Sequence, residues 1–481
     1  MEQIIESEEN NMTETEKYIA ELVAKGKAAQ KAFELNWTTQ RQVDEVVRDI
    51  GKTVYDHRRE LSQMAVDESG MGNVEGKMAK FGGIIGNWNF LRGKKSVGYL
   101  DIPENENYEP GVRVIAKPLG VIGCIMPSTN PVITGVGNAM MALKCRNAVI
   151  IAPHPSTAHS SMGAVNYMRQ ALKKLGAPED LVQGIDADHA SIEATQAMLA
   201  MCDVNIATGG AGMVKAVYSS GRPGMGVGPG NCQAIIDEDY DDMAGACSAI
   251  VQNRSFDLGI PCIGEQTAHV PAAREEEFKK AMVAAGSYLV EDEETIAKFR
   301  ELFFPGGKPY MNRKFVGHTV QQVGAMIGLE IPADRIGICL KCQSKGTEDL
   351  LNKEILCSIT RYRTYETFED GVDAACHNLL DWEGAGHSSS IWSHNEEHIS
   401  YAANRVPVGR LHVNQPTRGN NNGLNMTVTV GCGSWGNNSI CENLQYYHLM
   451  NKTKVTVTLP NKRMPKDTDW NDFDICPVLE D

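Results

Sequence analysis

Val121–Pro127 reads VIGCIMP, Asn130–Lys144 reads NPVITGVGNAMMALK, and Ala148–Pro155 reads AVIIAPHP. The first and third are short continuous apolar runs, as expected of strands covered on both faces, and the stretch between them has helical length and spacing. Thr157–Leu175 adds a second helical pattern and Asp203–Ala207, DVNIA, a third strand. From Gly111 to Ala207 strand and helix therefore alternate. This predicts a doubly wound, mostly parallel α/β sheet, because parallel neighbours need a crossover helix.

Downstream, a second strand-and-helix series runs from Gln233 to about Val413: QAIID, QTAHVP, a helix over Glu275–Ala285, RIGICLK, SITRYRTY and SSSIWS. It reads as a second α/β domain. Upstream, Thr15–Lys31 and Thr39–Val66 carry helical spacing, with Thr39 as an N-cap. The C-terminal stretch 425–458 combines an alternating TVTV, a Gly-rich GCGSWG, a helical ICENLQYYHLMN and a second alternating VTVTL, suggesting a hairpin-like excursion. The domain division is an acidic tail 1–14, a dinucleotide-binding domain 15–236, a catalytic domain 237–425, and a segment 426–481 returning to the cofactor domain or to a subunit interface.

Composition narrows the function. The chain has 481 residues, more than one hydrophobic core usually organises, with 42% hydrophobic and 22% charged residues. A net charge of −15, from 46 basic and 61 acidic residues, disfavours nucleic acid, which needs a concentrated basic face. No apolar run approaches the roughly 18 residues of a membrane helix. The N-terminal MEQIIESEENNMTETEK has no basic region leading into an apolar stretch, so a cytoplasmic location is expected, with bacterial microcompartment association as the alternative. Thirteen scattered cysteines suit reduced thiols better than a disulfide framework.

Candidate chemistry begins where the strand DVNIA delivers Thr208, Gly209 and Gly210 into a turn that opens a helix. Free N–H groups and the positive helix end favour a phosphate there, although an ordinary glycine-mediated turn would look the same. A Rossmann fingerprint also wants an acidic residue about 20 positions on, and no Asp or Glu occurs between Val204 and Ile236. GMGVGPGN (224–231) leads into a strand and contains Pro229, so it reads as a glycine-rich wall against which a ligand can lie. In SFDLGIPCIGEQ (255–266), Cys262 follows a Gly and Pro turn, where a thiolate can act as nucleophile if local dipoles lower its pKa. Any one of thirteen cysteines can equally be structural. Cys339 and Cys342 form a CxxC without a second ligand pair nearby, which reads as buried strand rather than zinc site, and no metal is expected.

GGAGMVKAVYSSGRPGMGVGPGN, SFDLGIPCIGEQ, EGAGHSSSIWS and GCGSWGNNSICENL fall in the order and spacing of one family. The chain resembles CoA-acylating aldehyde dehydrogenases over roughly residues 15–455. Among these it is similar to the acylating succinate-semialdehyde type, sharing TNPVIT, APHP, VEDEETIAKFR and RLHVNQP. The resemblance implies that Cys262 is the nucleophile and that Asn130, with the Cys262 N–H, forms the oxyanion hole. It implies that His387 accepts the proton of an incoming CoA thiol, the alternative being a structural loop histidine. It places Glu354 at the nicotinamide ribose and Glu265 in a strand-end contact. His154, Ser156 and Thr157 fall where many relatives have a lysine and a glutamate facing the adenosine ribose. With that glutamate absent, NADP as well as NAD is expected.

Where hydrolytic relatives carry a water-activating glutamate, this chain has GVGPGN, so CoA is the expected acyl acceptor. Arg418, in VNQPTRGNNNG, is the candidate for an anionic substrate tail, against the reading of a solvated loop arginine. The expected activity interconverts a small, anionic aldehyde, CoA and NAD(P)+ with acyl-CoA and NAD(P)H, with succinate semialdehyde as substrate and a homodimer or homotetramer as the assembly. The alternatives are sulfoacetaldehyde as substrate, a hydrolytic aldehyde dehydrogenase, and a cysteine acyltransferase or non-catalytic assembly subunit.

Overall fold

A computed structural model describes residues 12–101, 111–418 and 423–458. The acidic tail up to residue 11 and the segment beyond 458 lie outside the described residues, as do 419–422 of the loop after Arg418. The N-terminal region is helical. Helix α1 (Glu14–Asn36) starts at a capping box between Thr13 and Glu16, and α2 (Gln40–Asp56) at one between Thr39 and Gln42. The helix expected over 39–66 is broken at His57, whose ring reaches back to the Thr53 carbonyl, and resumes as α3 (Arg58–Ser69). Gly70, at φ +67°, ends α3 in the left-handed conformation that glycine adopts most cheaply. Then come α4 (Val74–Lys80), α5 (Gly82–Leu91), and strands β1 (Gly98–Tyr99) and β2 (Val112–Pro118).

The expected doubly wound sheet is present. Strands β3 (Val121–Ile125), β4 (Ala148–Ala152), β5 (Val182–Gly184), β6 (Val204–Thr208) and β7 (Gly224–Val227) lie in the order β5-β4-β3-β6-β7, all parallel. Their crossovers are α6 (Pro131–Lys144), α7 (Ala158–Lys174), α8 (Ile192–Met201) and α9 (Ala211–Ser219). Every residue of β3, β4 and α6 is buried, which is why these segments read as unbroken apolar runs. The chain order reverses between β3 and β6, so the carboxyl ends of those two strands flank the crevice where such sheets bind ligands.

The second sheet holds β8 (Gln233–Ile236), β9 (Thr267–Pro271), β10 (Ser287–Val290), β11 (Gly337–Lys341), β12 (Ile359–Tyr365), β13 (Gly386–Trp392) and β14 (Val408–Val413) in the order β10-β11-β12-β9-β8-β13-β14, again all parallel. Helices α10 (Met243–Ser255), α11 (Glu275–Ala284), α12 (Glu293–Phe303), α13 (Val320–Ala325), α14 (Phe368–Leu380) and α15 (Glu396–Arg405) are interspersed with these strands along the chain. Since β8 pairs here, the change of sheet falls between Val227 and Gln233, a few residues before the 236/237 division drawn from sequence.

The C-terminal stretch differs from its sequence pattern. TVTV contributes a single bridge, Val430 to Asn443, and the helical-looking ICENLQYYHLMN yields one 3-10 turn, Tyr446–Leu449. Side chains take over backbone bonding there. The Thr427 hydroxyl lies 2.9 Å from the carbonyls of Thr429 and Leu444. Strand β15 (Met450–Thr456) then pairs antiparallel with β2 along its whole length, completing a three-stranded sheet β1-β2-β15. The chain thus returns to β2, which directly precedes the first sheet in the chain.

Candidate active site

The second sheet brings its amino ends, not its carboxyl ends, to the crevice. Cys262 and Glu265 precede β9, Glu354 precedes β12, His387 opens β13, and Cys232 precedes β8. Opposite them stand the carboxyl ends of the first sheet: Ser128–Asn130 after β3, His154 and Ser156 after β4, and Thr208–Gly210 after β6. A cleft of about 450 Å³ between the two is lined by Ser128, Thr129, His154 and Ser156 on one side and Arg313, Lys314, His318 and Leu356 on the other.

The turn that carries Cys262 is strained. Asp257, Leu258 and Gly259 take φ of +47°, +54° and +76° in succession, and such left-handed non-glycine residues concentrate where a site over-determines its backbone. The Gly-rich 224–231 segment forms the wall against it: a Cβ on Gly230 would lie 2.2 Å from the Cys262 carbonyl oxygen. Only glycine lets the two backbones approach this closely.

Cys262 Sγ lies 3.4 Å from Nε2 of His387, which is fully buried. On the far side of the ring, Nδ1 is 3.8 Å from Cys232 Sγ, and the Cys232 thiol donates to the Cys262 carbonyl at 3.4 Å. These contacts close a loop. With the Cys232 proton committed to that carbonyl, Nδ1–H donates to Cys232 Sγ and Nε2 is left as the acceptor for the Cys262 thiol. Arg410 donates to the carbonyls of Gly386, His387 and Gly431 and so holds the turn in which the histidine sits.

Electrostatics keep the resting pair neutral. Burial, with the Glu354 carboxylate as second cause, pushes the Cys262 thiol up to about 12. Burial and then the Arg410 and His412 charges pull His387 down to about 3. Glu354 is pushed up to about 8 by burial, opposed by the Gly230 amide that donates to it at 3.0 Å. The cation bearing on the Cys262 thiol is Lys80.

Comparison with known proteins places these features. Residues 7–295 match the model of the aldehyde dehydrogenase family. The succinate-semialdehyde dehydrogenase (acetylating) of Clostridium kluyveri is 45% identical over 444 residues, covering 91% of this chain and 95% of that protein. An acetylating aldehyde dehydrogenase from Geobacillus thermoglucosidasius superposes with a TM-score of 0.87 at 32% identity, covering 94% of this chain and 98% of that one. The chain belongs to the aldehyde dehydrogenase family. Within it the protein is one of the CoA-acylating enzymes. A propionaldehyde dehydrogenase from Rhodopseudomonas palustris, solved with CoA bound and an acylated cysteine, superposes with a TM-score of 0.79 at 25% identity, covering 91% of this chain and 97% of that one.

The remaining expected residues of this aldehyde dehydrogenase are placed as follows. Asn130 precedes α6, and its partly exposed side chain makes no capping bond to that helix. Thr208 ends β6, with its hydroxyl 3.5 Å from that of Thr429. Cβ atoms on Gly210 or Gly212 would meet nothing within 4 Å, so the start of α9 is open. His154 accepts from the Ser156 amide at 3.1 Å, and both face the cleft. Thr157 is fully buried with its hydroxyl on the His154 carbonyl, so it builds the turn and does not line the cleft. Glu265 is buried, accepting from the Thr417 amide and from Asn253, a structural contact. Arg418 stacks on Phe256, its guanidinium carbon 3.5 Å from the ring centroid, and burial draws its pKa down.

Cys339 lies in β11 and Cys342 just beyond it, both buried, and among the described residues no His, Cys, Asp and Glu cluster suited to a metal occurs. Every described cysteine is a free thiol. Among the described residues no helix is long and apolar enough to cross a membrane. Cys232, Arg410, Arg313, Lys314 and Lys80 escape a reading of the sequence, because each meets the site from a segment distant in the chain. Only the NCQ that follows the glycine wall hints at Cys232.

Proposed function

We propose that the protein joins the carbonyl carbon of succinate semialdehyde to CoA, with NADP or NAD as hydride acceptor, through a thioester on Cys262. The observation that carries this reading is the Cys262–His387 pair set against the glycine wall. A nucleophile and a proton acceptor lie in contact, and residues 224–231 hold no carboxylate to activate water.

Cys262 attacks the aldehyde carbon as its thiol proton moves to Nε2 of His387, leaving an alkoxide that the Asn130 side chain and the Cys262 N–H stabilise. A bound nicotinamide dinucleotide would supply the acceptor for the hydride that leaves this carbon. Collapse gives the acyl thioester. His387 releases that first proton to solvent, the proton set free in the overall reaction, and the CoA thiol then adds to the thioester and gives its own proton to the vacated Nε2. Cys262 departs as the thiolate and recovers a proton from the same imidazole. A free thiol needs less activation than water, so one buried neutral imidazole suffices for both additions.

The fit of the nucleotide rests on this chain's own groups. The open first turn of α9 after Thr208, Gly209 and Gly210 offers N–H groups and a positive helix end to the phosphates. Glu354, which accepts from the Gly230 amide of the glycine wall beside Cys262, is assigned to the nicotinamide ribose. His154, Ser156, Arg313 and Lys314 present donors and no carboxylate at the adenosine end, which accommodates a 2′-phosphate. A cytoplasmic homo-oligomer, using the exposed outer edge of β15, completes the reading.

The test is product analysis with and without CoA, across succinate semialdehyde, sulfoacetaldehyde and propionaldehyde. The expected outcome is reduced nicotinamide only when CoA is present, succinyl-CoA as product, and no turnover by Cys262→Ala. Acid release without CoA would establish hydrolysis instead, and substantial turnover by the variant would remove Cys262 as nucleophile.

A further inference from the structure

Three charged side chains lie buried behind the nucleophile turn. Asp257, the first residue of the strained turn, has a side chain with no solvent exposure, and those of Lys80 and Lys77 are only 11% and 6% exposed. Lys80 Nζ is 2.6 Å from Asp257 Oδ2, and Lys77 Nζ is 3.7 Å from the same oxygen. The Asn73 amide, at the start of α4, donates to the other oxygen at 2.9 Å. Glycines crowd the carboxylate: a Cβ on Gly72 would lie 2.2 Å from Asp257 Oδ1, and one on Gly76 would lie 2.8 Å from Asp257 Cα. The turn five residues before Cys262 is therefore clamped onto α4.

Lys80 also reaches the other half of the site. Its ammonium donates to the Thr129 carbonyl at 3.1 Å, the residue directly before Asn130. One buried cation thus touches both the turn that delivers the nucleophile and the turn that delivers the oxyanion donor. A buried ion pair between segments distant in the chain is a costly way to gain stability, since desolvation offsets much of the attraction. The arrangement makes sense where the relative position of two reacting groups matters, because small displacements cost large factors in rate. Two lysines against one aspartate also leave positive charge behind the sulfur and the developing alkoxide.

We propose that Lys80 is a positioning residue for the covalent step: its ammonium group, held between Asp257 and the Thr129 carbonyl, fixes the separation between Cys262 and Asn130. This rests on Cys262 as the nucleophile. If Lys80 acts through Asn130, the two substitutions cannot cost independently.

The experiment uses the full-length protein and two readouts: steady-state turnover of succinate semialdehyde with CoA and NADP, and acylation of Cys262 by succinyl-CoA, followed by mass of the intact protein. Lys80→Met should lower kcat by roughly a hundredfold and slow acylation in parallel, with KM for the aldehyde within about threefold. Lys80→Arg, which can span both acceptors, should restore at least about tenfold of that loss. Lys80→Met combined with Asn130→Ala should cost no more than Asn130→Ala alone. Wild-type kcat and acylation in Lys80→Met, or full additivity of the double variant, would overturn the proposal. Should Lys80→Met fail to fold, Lys80→Met with Asp257→Asn removes both charges together, and kcat within about threefold of wild type in that variant would overturn it equally. Absence of Cys262 acylation in the wild type would overturn the nucleophile assignment and this proposal with it, whereas normal acylation in Lys80→Met overturns the proposal alone.

Discussion

Arg418 stacks on Phe256, a residue of the turn that delivers Cys262, while its pKa is drawn down by burial alone. A guanidinium held this way suits a carboxylate that arrives with the substrate. Arg418→Ala should therefore reduce kcat/KM for succinate semialdehyde by about 1.5 to 3 kcal/mol, some 10- to 150-fold, and leave propionaldehyde nearly unchanged. Parallel losses on both aldehydes would place the anion elsewhere. At Cys232 the prediction concerns a tautomer. Cys232→Ala removes the partner of His387 Nδ1, so kcat should fall by roughly tenfold, and Cys232→Ser, which can still donate and accept, should restore most of it. Equal kcat in the two variants would show that the ring is oriented by Arg410 and its turn alone. The family resemblance points to His387 and Asn130 because GAGHSSS and STNP are local motifs; the parts played by Cys232 and Lys80 rest on contacts between segments distant in the chain.

At the scale of elements, the site depends on the 224–231 segment lying flat against the turn 257–262. A methyl on Gly230 would sit 2.2 Å from the Cys262 oxygen and 3.0 Å from its carbonyl carbon, both backbone atoms that no rotamer change can move. Gly230→Ala should cost about 1 to 3 kcal/mol in thermal stability and lower kcat by roughly a hundredfold, as Cys262, the proposed nucleophile, is displaced. A variant with wild-type Tm and kcat would mean that the wall yields. The motif GMGVGPGN revealed a glycine-rich wall by its composition, but not what it abuts, since that partner lies 30 residues on. The C-terminal element shows the opposite failure. ICENLQYYHLMN has helical spacing, yet its backbone is committed to bridges with Gly431 and Gly433, so tertiary bonding overrides local preference.

For the whole molecule, three histidines are buried in their neutral form: His269 and His387 at about 3, and His412 at about 4, burial being the first cause in each. The unfolded chain takes up these protons near pH 6.5 and the folded chain does not, so their contribution to stability is present above pH 6.5 and is lost as pH falls toward 3 to 4. Glu354, raised to about 8, acts in the opposite sense, costing stability as pH rises from 4.5 to 8. His269 lies in β9 away from the reacting groups, its Nε2 3.0 Å from Gln233 Oε1. His269→Gln can keep that bond without a titrating group. Its unfolding free energy should therefore fall less steeply between pH 6 and pH 4, by roughly 1.4 kcal/mol per pH unit, as read by urea denaturation. An unchanged slope would mean that the histidine is already protonated when folded.

The alternation of strand and helix in the two α/β series and the absence of a carboxylate from residues 224–231 were determined by the sequence, because each is written within a continuous segment as an apolar run, a helical spacing or the absence of a side chain. Which ends of the strands meet was decided only by the tertiary structure. The first sheet offers its carboxyl ends and the second its amino ends, an arrangement set by how two separately wound sheets pack and by β15 returning to β2. The same packing brings Arg313 to the cleft, Cys232 to His387, and Lys80 to Asp257 and the Thr129 carbonyl. Their roles come from distances between segments remote in sequence and from the low dielectric that burial creates, and neither quantity exists until the chain has folded.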